Sequence, residues 1–219
     1  MRTFAFVSDF DGTLTSRDFY QIIIEKYLKE RGKALYTEWK KAKKINVEFL
    51  NIIFASIDLS LGELKEEILK IPLDAAAVDF IREVRRNGGE FFIVSAGTSY
   101  YIDILLKHLG IDVKVISMQG IYQDRGIRII PDAKSPYYSE VFGLDKRKVI
   151  EDIRKNYDVV FFAGDSEPDL AAAKEADYAF AKNELRKMME EVKHDYIKYT
   201  DYTDIRLWME SEGWLRGYK

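Results

Sequence analysis

The sequence contains no cysteine, and this absence removes several kinds of site from consideration. Without thiols the chain can form no disulfide bridge, no thiolate zinc site and no cysteine nucleophile. Long apolar runs are also missing. No stretch approaches the roughly 20 apolar residues that cross a bilayer, and the N-terminal MRTFAFVSDFDG turns acidic before it could serve as a signal peptide. We therefore expect a cytoplasmic protein that does not bind membranes.

Charge of one sign is not in excess either. The 34 Lys and Arg residues nearly balance 37 Asp and Glu residues, for a net charge of -3, so nucleic acid is not an expected partner. Trp39, Lys40, Lys41, Lys43 and Lys44 form a basic and aromatic stretch, but such a mixture is typical of the two faces of one helix. Both a monomer and a homodimer remain compatible with the sequence.

Short apolar runs alternate with helical patterns along most of the 219 residues, which are enough for a substantial core. The predicted strands are 3–8, 91–94, 112–117, 159–163 and 178–181, and the predicted helices are 74–87, 98–108, 146–155 and 168–176. A hairpin or flap is expected between residues 119 and 143. This alternation predicts an α/β fold, a Rossmann-like doubly wound parallel sheet whose ligands bind at the carboxyl ends of the strands.

One segment departs from the alternation. Residues 16–72 show helical spacing and no strong strand candidate, and Ser60 with Glu63 has the pattern of a capping box. We therefore expect an α/β catalytic core from residues 1–15 and 73–219, with a helical cap from residues 16–72 inserted into it.

A pair of carboxylates follows the first predicted strand, in the sequence DFDGT. Asp9 can attack phosphorus while Asp11 protonates the leaving oxygen, since two nearby carboxylates suit this division of labour. Their oxygens are also ligands that Mg²⁺ prefers. Gly12 permits a sharp turn there. A lone acidic pair of this kind is more often a simple turn, but its place directly after a buried strand makes it more specific.

A hydroxyl and a lysine come next in the chain. Ser95 ends the second predicted strand, where its hydroxyl could hold a phosphate oxygen or merely cap the next helix. Lys146 begins a later helix and could neutralise charge on a phosphoryl group. Arg147 and Lys148 are its immediate rivals for this role, and Lys134 is a more distant one.

A second acidic pair, Asp165 and Asp169, follows the fourth predicted strand. Their spacing at a strand-to-helix turn allows one carboxylate on a cation and the other near it. Together with the earlier groups, they complete the set that phosphoryl transfer through an aspartate nucleophile requires.

With these four motifs in order, the chain resembles the haloacid dehalogenase superfamily of phosphatases over nearly its whole length. Its helical insert resembles the phosphoserine-phosphatase-like branch. Three features are similar to the methionine-salvage phosphatases that act on a methylthiopentenyl phosphate: Asp18, Gly97 followed by Tyr100 and Tyr101, and the ending Tyr202–Ile205. Asp18 replaces the usual glutamate of phosphoserine phosphatases, and SAG replaces their SGG, which argues against phosphoserine as the substrate.

The resemblance implies a role for each matching residue. The implied nucleophile is Asp9, and the implied general acid and base is Asp11. The implied Mg²⁺ site comprises Asp9, the Asp11 carbonyl, Asp165 and Asp169. The remaining implied substrate and phosphate contacts are Thr13 in the nucleophile loop, Asp18, Ser95, Ala96 and Lys146.

The expected function is therefore Mg²⁺-dependent hydrolysis of a small phosphomonoester. A phosphomutase or another phosphoryl-transfer enzyme of the same fold is an alternative, and an assay for released phosphate would distinguish a phosphomutase. A phosphate-binding domain without catalysis is another, but it predicts a broken motif, and all four motifs are intact here.

Overall fold

The computed structural model describes residues 3–42 and 46–216. The strands are β1 (Phe4–Ser8), β2 (Gly89–Thr98), β3 (Lys114–Gln123), β4 (Gly126–Ile130), β5 (Tyr138–Ser139), β6 (Gly143–Leu144), β7 (Val159–Gly164), β8 (Tyr178–Ala181) and β9 (Ile197–Lys198). The helices are α1 (Phe19–Ile23), α2 (Lys29–Lys41), α3 (Val47–Ala55), α4 (Leu61–Ile68), α5 (Ala77–Arg86), α6 (Ser99–His108), α7 (Lys146–Ile153), α8 (Leu170–Glu175), α9 (Asn183–Glu191) and α10 (Tyr202–Ser211).

Within the described residues, the main sheet has seven strands in the order β4-β3-β2-β1-β7-β8-β9. Its strands pair in parallel except for the antiparallel hairpin of β3 and β4. β1 lies at the centre with β2 on one side and β7 on the other, so the carboxyl ends of these three strands meet at one edge. The arrangement confirms the predicted Rossmann-like, doubly wound sheet.

Both faces of β1 are buried, as its continuous apolar sequence predicts. Phe4 and Phe6 point into a hydrophobic cluster shared with α5, α6 and α10. Ala5 and Val7 point into a second cluster shared with α7, α8 and α9. Burying an apolar side chain of Val, Leu or Phe size contributes about 1.5–3 kcal/mol, so helices on both faces hold β1 firmly in place.

Two strands differ from their predicted bounds. β2 extends well beyond the predicted 91–94, and β3 begins and ends later than the predicted 112–117. The pairing of β2 with β3 shifts register between Ser95 and Thr98, an irregularity that is common next to active sites. Ser95 therefore lies inside the strand, where regular pairing stops, and the prediction that it is the last strand residue was wrong.

The described part of residues 16–72 forms α1 to α4, with a short π-helix (Ile24–Leu28) between α1 and α2 and turns elsewhere. Thr15 and Leu73 pair in an isolated bridge, which brings the two ends of the segment together beside the sheet. The predicted capping box is confirmed, since the Ser60 side chain accepts from the Glu63 backbone while Glu63 reaches back to the Ser60 backbone. Lys43 and Lys44, which the sequence placed in a basic stretch, lie outside the described residues.

α3 covers the free edge of the sheet. The Asn51 side chain accepts a hydrogen bond from the Ile129 N–H at 2.8 Å and donates one to the Ile129 carbonyl at 3.3 Å. These bonds satisfy backbone groups of β4 that a further strand would otherwise pair. Val47, Leu50 and Phe54 of the same helix line the cavity described below. No helix within residues 3–42 and 46–216 is both long and apolar enough to cross a bilayer.

Candidate active site

The loop after β1 presents Asp9 and Asp11. The Asp9 N–H donates to the Ala163 carbonyl of β7 at 2.9 Å, so parallel pairing continues to the first carboxylate. Gly12 follows with φ of 76°, a conformation that side chains rarely adopt. A Cβ at Gly12 would lie 2.6 Å from an Asp165 carboxylate oxygen and 2.8 Å from one of Asp18. Only glycine therefore lets the loop approach both carboxylates.

Lys146 lies between two buried carboxylates. Its Nζ is 2.5 Å from Asp9 Oδ1 and 2.6 Å from Asp169 Oδ1, and the side chains of all three are almost fully buried. Burial by itself lowers the pKa of Lys146, but the charges of Asp169 and Asp9 outweigh it and raise that pKa. Burial raises the pKa of Asp9 well above its ordinary value, against the attraction of Lys146. The lysine is thus charged and shared by the two acids.

Asp169 uses both of its carboxylate oxygens within the protein. Besides the contact of Oδ1 with Lys146, its Oδ2 accepts backbone N–H groups of Asp165 at 2.9 Å and Ser166 at 3.1 Å. Asp169 therefore fixes the loop after β7 and positions Lys146 at the same time.

Asp165 has a carboxylate oxygen that is available to bind a cation. Its Oδ2 lies 3.3 Å from the Asn183 amide nitrogen, whereas its Oδ1 is buried and accepts no hydrogen bond from any described residue. Burial and the charge of Asp169 raise the pKa of Asp165 to about 6. Carboxylate oxygens of Asp9, Asp165 and Asp169 lie within 4.8 Å of one another. A divalent cation would offset the repulsion among these carboxylates and would give the unpaired Asp165 Oδ1 a partner.

Asp11 is held through both oxygens. Oδ1 accepts the Phe19 backbone N–H at 2.9 Å, and Oδ2 accepts the Tyr101 hydroxyl. Burial raises the pKa of the Asp11 carboxyl, although these two hydrogen bonds oppose the shift. A raised pKa favours the protonated form that a general acid requires.

Ser95 and Ala96 line the same cavity as Asp9, Asp11 and Lys146. The Ser95 Oγ accepts the Gly97 N–H at 3.0 Å, an interaction that orients the hydroxyl at the irregular part of β2. The side chain that caps α6 is that of Thr98, which accepts from the Tyr100 N–H, and not that of Ser95.

Asp18 and Thr13 occupy different surroundings. Asp18 lines the cavity and accepts the Gln21 amide at 2.7 Å. Burial, followed by the charges of Asp165 and Asp11, raises the pKa of Asp18 to about 8. Thr13, in the loop after β1, is fully buried and is not among the described residues that line the cavity.

The rival cations lie elsewhere. Arg147 pairs with Glu151 on the surface, the Lys148 ammonium donates to the Tyr138 carbonyl, and Lys134 is exposed. Of the candidates considered, Lys146 is therefore the cation that the structure brings to Asp9.

Three neighbouring groups were given no role in the site by the sequence analysis. Asn183 contacts Asp165, and the Lys182 ammonium lies 3.4 Å from the Thr13 carbonyl and 5.0 Å from the Tyr199 ring centroid. Lys182 and Asn183 directly follow β8, so the rule about carboxyl ends of strands could have identified them. Tyr101 lies on α6 instead, and no strand-end rule points to it.

The cavity has a volume of about 460 Å³, and the part away from Asp9 extends towards the helical segment and α9. The charged residues Glu167, Lys187 and Glu191 line it, but apolar and aromatic side chains contribute most of its surface: Tyr20, Tyr36, Val47, Leu50, Phe54, Phe142 and Met188. At its rim Lys40 pairs with Glu184 at 2.9 Å, connecting α2 to α9.

Comparisons with known proteins agree with this geometry. The family described as haloacid dehalogenase-like hydrolase matches residues 6–174. A protein of Lysinibacillus sphaericus (strain C3-41), named 2-hydroxy-3-keto-5-methylthiopentenyl-1-phosphate phosphatase, is 24% identical over 206 residues, covering 90% of this chain and 89% of its own. A protein of the same name from Bacillus velezensis (strain DSM 23117 / BGSC 10A6 / LMG 26770 / FZB42) is 27% identical over 227 residues, covering 99% and 94%.

A solved substrate-bound complex of phosphoserine phosphatase superimposes with a TM-score of 0.71 at 18% identity, covering 95% of this chain and 99% of that one. At this identity the likeness shows a shared fold. The family match spans most of the chain and contains the acidic loop after β1, the strand with Ser95, Lys146 and the acidic pair after β7. The chain therefore belongs to the haloacid dehalogenase-like hydrolase family.

Proposed function

We propose that this protein is a Mg²⁺-dependent phosphatase that hydrolyses a small phosphomonoester through an aspartyl-phosphate on Asp9. The observation that carries the proposal is the convergence of Asp9, Asp11, Ser95 and Lys146 on one cavity, with Lys146 at 2.5 Å from Asp9. A nucleophile, an acid, a hydroxyl and a cation within reach of one phosphoryl group are the requirements of this chemistry.

The acidic cluster fits a hard cation. Asp9 and Asp165 would hold Mg²⁺ directly, because the buried Asp165 Oδ1 accepts no hydrogen bond from the described residues. Asp169 would hold the neighbouring groups of the site in place, since its oxygens already contact Lys146 and two backbone N–H groups. The resemblance also assigns the Asp11 carbonyl to the ion. When bound, Mg²⁺ supplies positive charge that neutralises phosphoryl oxygens.

In the first step an Asp9 oxygen forms a bond to phosphorus while the bond between phosphorus and the leaving oxygen breaks. The proton on Asp11 passes to the leaving oxygen, so an alcohol departs and Asp11 becomes a carboxylate. Lys146 and the Ser95 hydroxyl hold phosphoryl oxygens during the transfer. In the second step Asp11 takes a proton from water as the water oxygen attacks phosphorus. The bond between phosphorus and the Asp9 oxygen breaks, which releases phosphate and restores the Asp9 carboxylate.

The helical segment 16–72 would act as a cap that sets the substrate. Its Tyr20, Tyr36, Leu50 and Phe54 contribute an apolar wall to the cavity that contains the charged groups, so we propose a substrate whose non-phosphate part is largely uncharged. The substrate named for the curated relatives carries a methylthio-pentenyl chain and is the first candidate. Phosphoserine carries an ammonium and a carboxylate instead, which this wall does not complement.

A screen for phosphate release from small phosphomonoesters tests the proposal. It includes 2-hydroxy-3-keto-5-methylthiopentenyl-1-phosphate, phosphoserine, pyridoxal phosphate and sugar phosphates. We expect release with Mg²⁺, loss of release in excess chelator, and the highest kcat/KM for a substrate with an uncharged tail. Full activity in chelator would contradict the metal site, and isomerised substrate without free phosphate would instead identify a phosphomutase.

A further inference from the structure

Tyr101 makes a contact for which the proposed chemistry has so far given no reason. Its hydroxyl donates to Oδ2 of Asp11, while the Phe19 N–H occupies Oδ1. Tyr101 is 1% exposed, so water does not compete for this hydrogen bond. The carboxyl plane of Asp11 is therefore held from two directions, by the first residue of α1 and by the first turn of α6.

The tyrosine ring is fixed by its neighbours. Its centroid lies 5.0 Å from that of Phe19, 5.8 Å from Phe54 and 6.0 Å from Phe10. Phe10 belongs to the nucleophile loop, whereas Phe19 and Phe54 belong to the helical segment. The ring thus has little freedom to turn, and its hydroxyl stays directed at Asp11.

Gly97 makes room for the hydroxyl. A Cβ built at Gly97 would lie 1.9 Å from the Tyr101 oxygen and 2.9 Å from Asp11 Oδ2. Any larger residue at position 97 would force the tyrosine or the carboxyl to move. The absence of a side chain at this point is therefore a condition for the hydrogen bond.

We propose that Tyr101 is a positioning residue that aims the Asp11 carboxyl at the leaving oxygen of the substrate. This inference rests on the proposed function, in which Asp11 protonates that oxygen. A carboxyl turns readily about its terminal bond, and proton transfer in the transition state requires a donor directed at the acceptor. Anchors on both oxygens fix the plane in which the transferred proton can lie.

A purely structural role for Tyr101 makes a different prediction. If the ring only fills space, its hydroxyl can be removed with the same effect on every substrate. If the hydroxyl positions Asp11, its removal lowers kcat/KM most for the substrates whose leaving group must be protonated. An alkoxide leaving group needs that proton, whereas p-nitrophenolate departs readily without it.

The test compares Tyr101→Phe with wild type on pentyl phosphate and p-nitrophenyl phosphate, with Mg²⁺ present. The reported quantity is kcat/KM, which includes steps up to the first irreversible one and so reports cleavage of the ester bond. The ratio of the two kcat/KM values is independent of the folded fraction, because that fraction multiplies both equally. Tyr100→Phe is the matched control, since Tyr100 is the neighbouring tyrosine on α6 and does not line the cavity.

We expect Tyr101→Phe to lower kcat/KM for pentyl phosphate by about tenfold or more and to change the value for p-nitrophenyl phosphate much less. Tyr100→Phe should leave both values near wild type. Equal losses on the two substrates, or no loss on pentyl phosphate, would overturn the positioning role while leaving the phosphatase proposal intact. A wild-type enzyme that releases no phosphate from any ester in the screen would overturn both.

Discussion

The two ends of the cavity are built on different principles. At the end where we propose that phosphate binds, called the phosphate end below, Asp9, Asp169 and Lys146 are almost fully buried. Their contacts are charged hydrogen bonds between strand ends and helix starts. At the tail end, the wall consists mainly of apolar side chains such as Leu50 and Phe54, contributed by the helical segment.

In the proposed function, this difference separates the groups that react from the groups that select the substrate. A buried charge is tolerated when it is paired and hydrogen-bonded, so changes at the phosphate end should be costly for both rate and stability. An apolar wall can exchange one side chain for another at lower cost, provided that the volume is similar. The tail end can therefore adapt to a substrate without disturbing the phosphoryl site.

The largest effect is expected from Asp9→Asn, which keeps the shape of the side chain but removes the proposed nucleophile. Phosphate release should fall by about 10⁴-fold or more, while circular dichroism shows an unchanged fold. Asp79→Asn, the same change at an exposed position of α5, serves as the control. Substantial remaining turnover in Asp9→Asn would remove Asp9 from the nucleophile role.

Lys146→Met should affect rate and stability together. Its loss leaves two buried acids without their shared cation, and removing one partner of a buried ion pair costs about 3–5 kcal/mol. Activity should fall by about 10²-fold to 10³-fold. Phosphate-release assays and chemical denaturation measure the two effects.

Lys148→Met provides the comparison, because the Lys148 side chain is exposed and contacts the Tyr138 carbonyl. We expect little change in either quantity. A larger loss of activity in Lys148→Met than in Lys146→Met would transfer the phosphate-binding role to Lys148.

At the tail end, Leu50→Ala should change selectivity and leave the chemistry intact. We expect kcat/KM for pentyl phosphate to fall about tenfold relative to methyl phosphate, since loss of a few methylene groups in an apolar pocket costs that much. Ile52→Ala, on the same helix but exposed, should leave the ratio unchanged. An equal loss for both esters would mean that Leu50 supports the fold and does not contact the tail.

The smallest expected effect is a pH-dependent shift in melting temperature on adding Mg²⁺. The pKa of Asp165 in the folded protein is about 6, above its ordinary 3.8, so between these values the folded state holds more protons than the unfolded chain. Without metal, this group's contribution to stability is therefore complete below pH 3.8 and is lost as the pH rises through about 6.

Mg²⁺ prefers the ionised carboxylates, so it should raise the melting temperature by a few degrees at pH 7.5 and by less at pH 5. Thermal melts at the two pH values, with and without Mg²⁺, measure the difference. Asp165→Asn should abolish most of it. A shift as large at pH 5 as at pH 7.5 would show that ionisation of the cluster does not govern binding.

Much of the phosphate end was predictable because it depends on local order. Apolar runs such as 159–163 indicated buried strands, and polar residues directly after such runs had to gather at one edge of a parallel sheet. Asp9, Asp165 and Asp169 were found by this rule. The rule fails for Tyr101, which reaches Asp11 from a helix, and it did not reveal that β2 continues past Ser95.

The tail end was not predictable to the same degree. Helical spacing identified residues 16–72 as helices, but it did not say which faces would meet α9 or the sheet edge. Asn51 pairs with Ile129, which is 78 positions away, and Lys40 pairs with Glu184, which is 144 positions away. A local sequence pattern does not indicate contacts between residues so far apart in the chain.

The sequence by itself determined the family of the chain, the parallel sheet and the order of the acidic motifs, because the strand pattern and the polar residues at strand ends are local features of the sequence. Only the tertiary structure decided that Lys146 and not Lys148 pairs with Asp9. It also decided that both Asp169 carboxylate oxygens bind groups of the protein, and that the Tyr101 hydroxyl donates to Asp11. Each of these outcomes depends on which side chains packing brings within about 3 Å of each other, the range of a hydrogen bond.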